Sequence, residues 1–93
     1  MGKYIVALTD IAKEHLAQHK KSGNQASIKK ISKIILELSE HPFTGVGQPE
    51  ELKHQLAGTW SRKINQKDHL IYTVNDEIVT VDVLTAMGHY SDK

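Results

Sequence analysis

Residues 50–69 concentrate side chains that can move protons and hold anions: Glu50, Lys53, His54, Arg62, Lys63, Lys67 and His69. His89 and Tyr90 add a second such pair after the last apolar run. Groups of these types can cleave RNA without a metal. A carboxylate takes the proton from a ribose 2′-OH, cations stabilise the crowded anionic phosphate, and a histidine protonates the leaving 5′-oxygen. Composition alone makes this reading unspecific, because Glu and His beside lysines occur in most small proteins. Glu50 could equally be a surface acid or help cap a helical turn. Arg62 could pair with an acid across a sheet, and His54 reads as a neighbour of the site without a chemical role.

Other chemistries find less support. His15 and His19 are four apart on an expected helix and could share a metal, yet no zinc-protease pattern surrounds them and no third ligand is near in sequence. Two surface histidines are the expected reading. Gly45-Val46-Gly47 leads into Gln48-Pro49 and not into a phosphate-binding GK[ST]. No serine sits in a nucleophile elbow. The absence of cysteine removes disulfides, thiolate metal sites and cysteine nucleophiles.

The formal net charge is only +1, but the cations cluster. Lys13, Lys20, Lys21, Lys29, Lys30 and Lys33 face Glu14 alone over residues 13–33, and Lys53, Arg62, Lys63 and Lys67 face Asp68 alone over residues 53–69. Two basic stretches on a nearly neutral chain suit a polyanion partner. The bland alternative is two solvated lysine-rich faces.

The elements that position these residues are legible from periodicity and caps. Residues 3–8 read as a strand. Thr9 or Asp10 caps a helix to about Lys21, with Ile11, Ala12 and Leu16 on its apolar side, and Ser22-Gly23 stops it. Asn24 caps a second helix, Gln25 to Glu40, whose stripe is Ile28, Ile31, Ile35 and Leu38 with Ile34 flanking. His41-Pro42 ends it. Residues 42–49 form a Gly- and Pro-rich loop, and Glu50–Lys53 a single helical turn after Pro49. Strands are expected at Thr59–Ile64, His69–Val74 and Ile78–Leu84, joined by turns at Asn65–Asp68 and Asn75-Asp76. Trp60 and Tyr72 read as core. The order β–α–α–β–β–β gives an α+β fold in which an αα-hairpin packs on a small, mainly antiparallel sheet.

With 93 residues, 39% hydrophobic and 25% charged, the whole of 1–93 fits one globular domain that buries about two thirds of its unfolded surface. No apolar run approaches the roughly 18 residues a membrane span needs. The stretch Tyr4–Leu8 is too brief for a signal peptide, so a cytoplasmic home is expected.

The segment 42–64 is more specific than its composition. It carries Pro42-Phe43, Gly45, Gly47, Pro49-Glu50, Leu52-Lys53, Leu56, Gly58 and Trp60-Ser61-Arg62 at fixed spacing, and continues into Asp68-His69-Leu70-Ile71-Tyr72 and His89-Tyr90. This pattern resembles the YoeB (Txe) branch of the RelE/ParE toxin superfamily over about residues 28–90, and the two helices fit that fold in order and length. The resemblance implies a RelE/YoeB-like fold and the toxin of a type II toxin–antitoxin pair. It implies a ribosome-dependent endoribonuclease that cuts messenger RNA in the A site and needs no metal or other cofactor. By position, Glu50 is then the general base, His89 the general acid and Tyr90 the residue that positions RNA. Lys53, Arg62 and Lys63 supply the phosphate-binding cations. The implied partners are a YefM/Phd-type antitoxin, the ribosome with its message, and a second copy in a homodimer.

One departure stands out. The family has arginine where this chain has His69. Histidine lacks the bidentate fork and a permanent charge, and losing one such donor costs on the order of 10²–10³ in rate. His69 therefore implies an attenuated catalyst. The alternatives are an impaired toxin acting mainly as antitoxin-binding co-repressor, or a ParE-like gyrase inhibitor on the same fold.

Overall fold

The computed structural model describes residues 3–52 and 58–88. Strand β1 (Ile5–Leu8) leads into helices α1 (Asp10–Ser22) and α2 (Gln25–Leu38), followed by strands β2 (Glu50–Glu51), β3 (Thr59–Lys63), β4 (His69–Asn75) and β5 (Thr80–Thr85). The sheet order is β1-β5-β4-β3-β2, with β1 parallel to β5 and every other pair antiparallel. The expected α+β architecture holds.

Local chemistry sets the helix ends. The Thr9 hydroxyl accepts from the Ala12 N–H at 3.0 Å and fixes the start of α1. Gly23, at φ 74°, ends it, and the Asn24 side chain caps α2 by accepting from the Ser27 N–H at 3.1 Å. The helix α2 stops at Leu38, short of the expected Glu40, because the Glu40 N–H turns back to the Glu37 carbonyl.

The helices cover one face of the sheet. Ala12, Ile31, Ile34 and Leu38 meet Ile64, Leu70, Tyr72, Val81 and Val83 in one core. The stripe of α2 is rotated from its expected centre. Ile34 is fully buried, whereas Ile28 and Ile35 are half-buried and, with Leu16 and Ala17, line a groove of about 380 Å³ between the two helices. Steps of three and four fit either centre, and contact with the sheet decides between them. Ile11, expected on the apolar side of α1, is 57% exposed, and the buried residues of that helix are Ala12 and His19.

Two boundaries differ for reasons of pairing. Glu50-Glu51 is not a helical turn. It is a short edge strand whose residues align with Ser61 and Trp60, and the Leu52 N–H donates to the Thr59 carbonyl at 2.9 Å. Strand β5 begins at Thr80 because the Asn75 side chain accepts from the Glu77 and Ile78 N–H groups and holds the preceding residues in a turn.

Candidate functional site

The sheet face away from the helices carries polar residues around a buried centre, where Thr59, Ser61 and Ile71 are 5%, 6% and 2% exposed. Glu50 lies opposite Ser61, and Lys63 opposite His69. Directly paired residues of antiparallel strands point to the same side, so Glu50, Ser61, Lys63 and His69 share this face across β2, β3 and β4. Glu50 and His69 stand two strand spacings apart sideways and two residues apart along the strands, about 12 Å between backbones. Glu50 and Lys63 are exposed and His69 is half-buried. Ser61 joins the set through a 2.9 Å hydrogen bond between its hydroxyl and His69 Nδ1. Sequence reasoning missed Ser61. Its only signal is the two-residue spacing from Lys63, which has meaning once the β3–β4 register is known.

The turn after β3 builds the edge of this face. The Asn65 side-chain oxygen accepts from the Asp68 N–H at 2.8 Å, and the Asn65 amide donates to the Asp68 carboxylate and to the Ser27 hydroxyl. The other Asp68 oxygen accepts from the Gly88 N–H at 3.0 Å, and the His69 N–H donates to the Gly88 carbonyl at 2.6 Å. Gly88 is thereby fixed beside His69 at both of its polar atoms. Burial pushes the Asp68 carboxyl up. The Gly88 N–H, Asn65 and the charges of His19 and Lys67 outweigh it and hold the group below the usual aspartate range.

Arg62 is not on this face, which corrects its expected place among the phosphate-binding cations. It is fully buried on the helix side. Its Nε–H donates to the Tyr72 hydroxyl at 3.2 Å, one terminal nitrogen to Glu37 at 2.8 Å and to the Val46 carbonyl at 3.2 Å, and the other to the Thr44 carbonyl at 2.8 Å and the His41 carbonyl. All of the guanidinium donors are engaged, leaving none for a phosphate. The acid that pairs with it comes from α2 and not from across the sheet. Burial raises the Glu37 carboxyl, but the Val46 N–H and the Arg62 charge together hold it below its ordinary value. Tyr72 is core, as expected, and its hydroxyl donates to the Pro42 carbonyl at 2.6 Å.

The same network shapes the approach to Glu50. A Cβ on Gly45 would lie 2.1 Å from a Glu37 carboxylate oxygen, and one on Gly47 2.9 Å from the Lys63 carbonyl. Both residues have positive φ, so glycine is required twice over. The Lys63 N–H donates to the Gly47 carbonyl at 2.7 Å, tying the loop to β3. Trp60, also expected in the core, is half-buried on the helix side and packs on Phe43 with ring centroids 5.2 Å apart.

His15 and His19 are not surface histidines. His19 is 5% exposed, and both rings bond the backbone of Ala86. Among the described residues no group of three His, Asp or Glu side chains could hold a metal, and no helix is long and apolar enough to cross a membrane. Lys53, His54, His89 and Tyr90 lie outside the described residues.

A two-helix, five-strand α+β domain of this kind is the layout of a known class of small bacterial toxins. Residues 11–90 match the model of the YoeB-like toxin of bacterial type II toxin–antitoxin systems. The toxin YoeB of Escherichia coli is 44% identical over 54 residues, 58% of this chain and 64% of that protein. That match spans just under two thirds of the relative's length. A YoeB/ParE toxin from Agrobacterium tumefaciens superposes with a TM-score of 0.82 at 27% identity, covering 92% of this chain and 99% of that one. Staphylococcus aureus YoeB superposes as a dimer (TM-score 0.77, 27% identity, 95% and 99% covered) and in its complex with YefM (0.73, 28%, 94% and 98%). The chain belongs to the family of YoeB-like toxins of type II toxin–antitoxin systems.

Proposed function

We propose that this chain is a metal-free endoribonuclease that cuts messenger RNA in the ribosomal A site and stops translation. The observation that carries the reading is the shared face of Glu50, Ser61, Lys63 and His69, with Gly88, the residue before His89, bonded to His69 at its edge. Glu50 acts as general base on the 2′-OH of the message, and its exposure suits that role. Lys63 and Lys53 hold the scissile phosphate. His89 protonates the leaving 5′-oxygen and Tyr90 positions the RNA. His69 stands where the family has arginine. As a cation it would still donate Nδ1–H to Ser61 while its charge faces the phosphate, but without a bidentate fork. Cleavage slower than with arginine follows.

The lysines at 20, 21, 29, 30 and 33 would bind ribosomal RNA phosphates in a salt-dependent way. A YefM/Phd-type antitoxin is the proposed partner, by analogy with the S. aureus complex, and a homodimer by analogy with the S. aureus dimer. The site of action is the cytoplasm, where translating ribosomes are. A second reading has the same feature behind it: with His69 in place of arginine, the chain could serve mainly as an antitoxin-binding co-repressor.

Primer extension on a defined message in a reconstituted translation system tests both readings, comparing the chain with its His69→Arg form. Ribosome-dependent A-site cuts by both, stronger with arginine, support an attenuated nuclease. Cuts by the arginine form alone favour the co-repressor. No cuts by either sink the nuclease.

A further inference from the structure

Beyond Thr85, the last β5 residue paired with β4, the chain leaves the ladder, and its backbone polar groups need other partners. For Ala86 those partners are two side chains of α1. The Ala86 N–H donates to His15 Nδ1 at 3.0 Å, and the Ala86 carbonyl meets His19 Nε2 at 2.7 Å. Each bond fixes the role of one ring nitrogen. A carbonyl only accepts, so His19 Nε2 carries a proton. An N–H only donates, so His15 Nδ1 is bare and its proton sits on Nε2. The two histidines are four apart, so they rise from successive turns on one helix face and grip the two peptide groups that flank Ala86.

Two residues later the same run is fixed again. The Gly88 N–H is held by Asp68 and the Gly88 carbonyl by the His69 N–H. Ala86 is fully buried, so water cannot replace the missing ladder. Four backbone atoms within three residues are thus anchored by groups from α1, from the β3–β4 turn and from the first residue of β4.

We propose that His15 and His19 are positioning residues, a clamp that fixes the exit of β5 as far as Gly88, the residue before the proposed general acid His89. The catalytic part of this inference rests on the ribonuclease reading. The clamp itself rests on the Ala86 bonds. Neither histidine acts on RNA.

The test uses two pairs of variants. Asparagine at 15 keeps an acceptor near the Nδ1 position, and glutamine at 19 keeps a donor near the Nε2 position. Leucine at either site keeps bulk and removes the bond. Amide hydrogen exchange of the folded chain is measured at Ala86 and Gly88, with Val81 and Val83 as internal standards. Single-turnover cleavage is measured at saturating programmed ribosomes, together with the half-saturating ribosome concentration. His15→Leu and His19→Leu should speed exchange at Ala86 and Gly88 about tenfold relative to the standards. They should slow cleavage at saturation by about as much, with the half-saturating concentration unchanged. His15→Asn and His19→Gln should restore both. Leucine variants that exchange and cut like the wild type overturn the proposal. So do leucine effects shared equally by Val81 and Val83, which would mark general destabilisation. Failure of the ribonuclease reading shows separately, as no cleavage by the wild-type chain, and exchange alone then decides the clamp.

Discussion

The Arg62 guanidinium meets the Glu37 carboxylate at 2.8 Å beneath the loop that leads to Glu50. One charge comes from β3 and the other from α2; of the remaining arginine donors, three hold carbonyls of residues 41–46 and the Nε–H holds the Tyr72 hydroxyl. A buried ion pair is neutral or unfavourable against a hydrophobic substitute in many proteins. Here the arginine also satisfies loop carbonyls that no secondary structure reaches, and an apolar residue cannot do that. The loop is ordered by the charge it covers.

Arg62→Met should therefore destabilise the chain by about 3 kcal/mol, since it strands Glu37 and the loop carbonyls together. Arg62→Lys should recover only part, because an ammonium cannot reproduce the planar fork. Urea denaturation with both variants is the measurement. A loss under about 0.5 kcal/mol for methionine would contradict the role given to this residue.

Acid should unfold the chain through two carboxyls. Glu37 and Asp68 are both held below their ordinary values of 4.5 and 3.8. Their contribution is fully present above those values and is lost as pH falls through the lower folded ones. The urea midpoint should stay level from about pH 7 to 5 and drop below about pH 4. Glu37→Gln and Asp68→Asn should each flatten the drop while lowering stability at neutral pH.

Gly47→Ala should cost about 1–3 kcal/mol, because it combines a positive φ with a Cβ pressed on the Lys63 carbonyl. The amide signals of residues 46–51 should shift with it, since the Gly47 carbonyl is the tie between loop and β3. A stable variant with an unchanged spectrum would show that the loop has room to give.

Glu50→Gln should leave the urea midpoint within about 0.5 kcal/mol of the wild type, as expected for an exposed edge residue. Under the ribonuclease reading it should slow ribosome-dependent cleavage by about 10²–10⁴. Growth arrest that survives the substitution would instead point to a binding toxin.

Ser61→Ala removes the partner of His69 Nδ1 and should cost about 1 kcal/mol of stability. Cleavage should fall several-fold in the wild-type background. It should fall less in the His69→Arg background, where the imidazole is gone. Equal losses in both backgrounds would detach Ser61 from His69.

Much of the fold is written locally. Thr9, Gly23 and Asn24 set helix ends through bonds and angles within three residues, and Asn65 and Asn75 do the same for turns. The motif from Pro42 to Arg62 points to the toxin family, which the comparisons bear out, and the sheet register brings its Glu50 to one face with Lys63 and His69 from the continuation of the pattern. What the sequence leaves open is decided by partners far along the chain. Glu50-Glu51 is a strand only because β3 lies beside it. Ile34 displaces Ile28 and Ile35 from the centre of the core because of how α2 sits on the sheet. Arg62 reads as a surface cation until Glu37 and three loop carbonyls close around it. His15 and His19 read as solvent-facing until Ala86, some seventy residues on, is bonded between them. Caps and periodicity are short-range and survive in the linear chain. Burial and the pairing of polar groups depend on which surfaces meet, and only the tertiary structure brings those together.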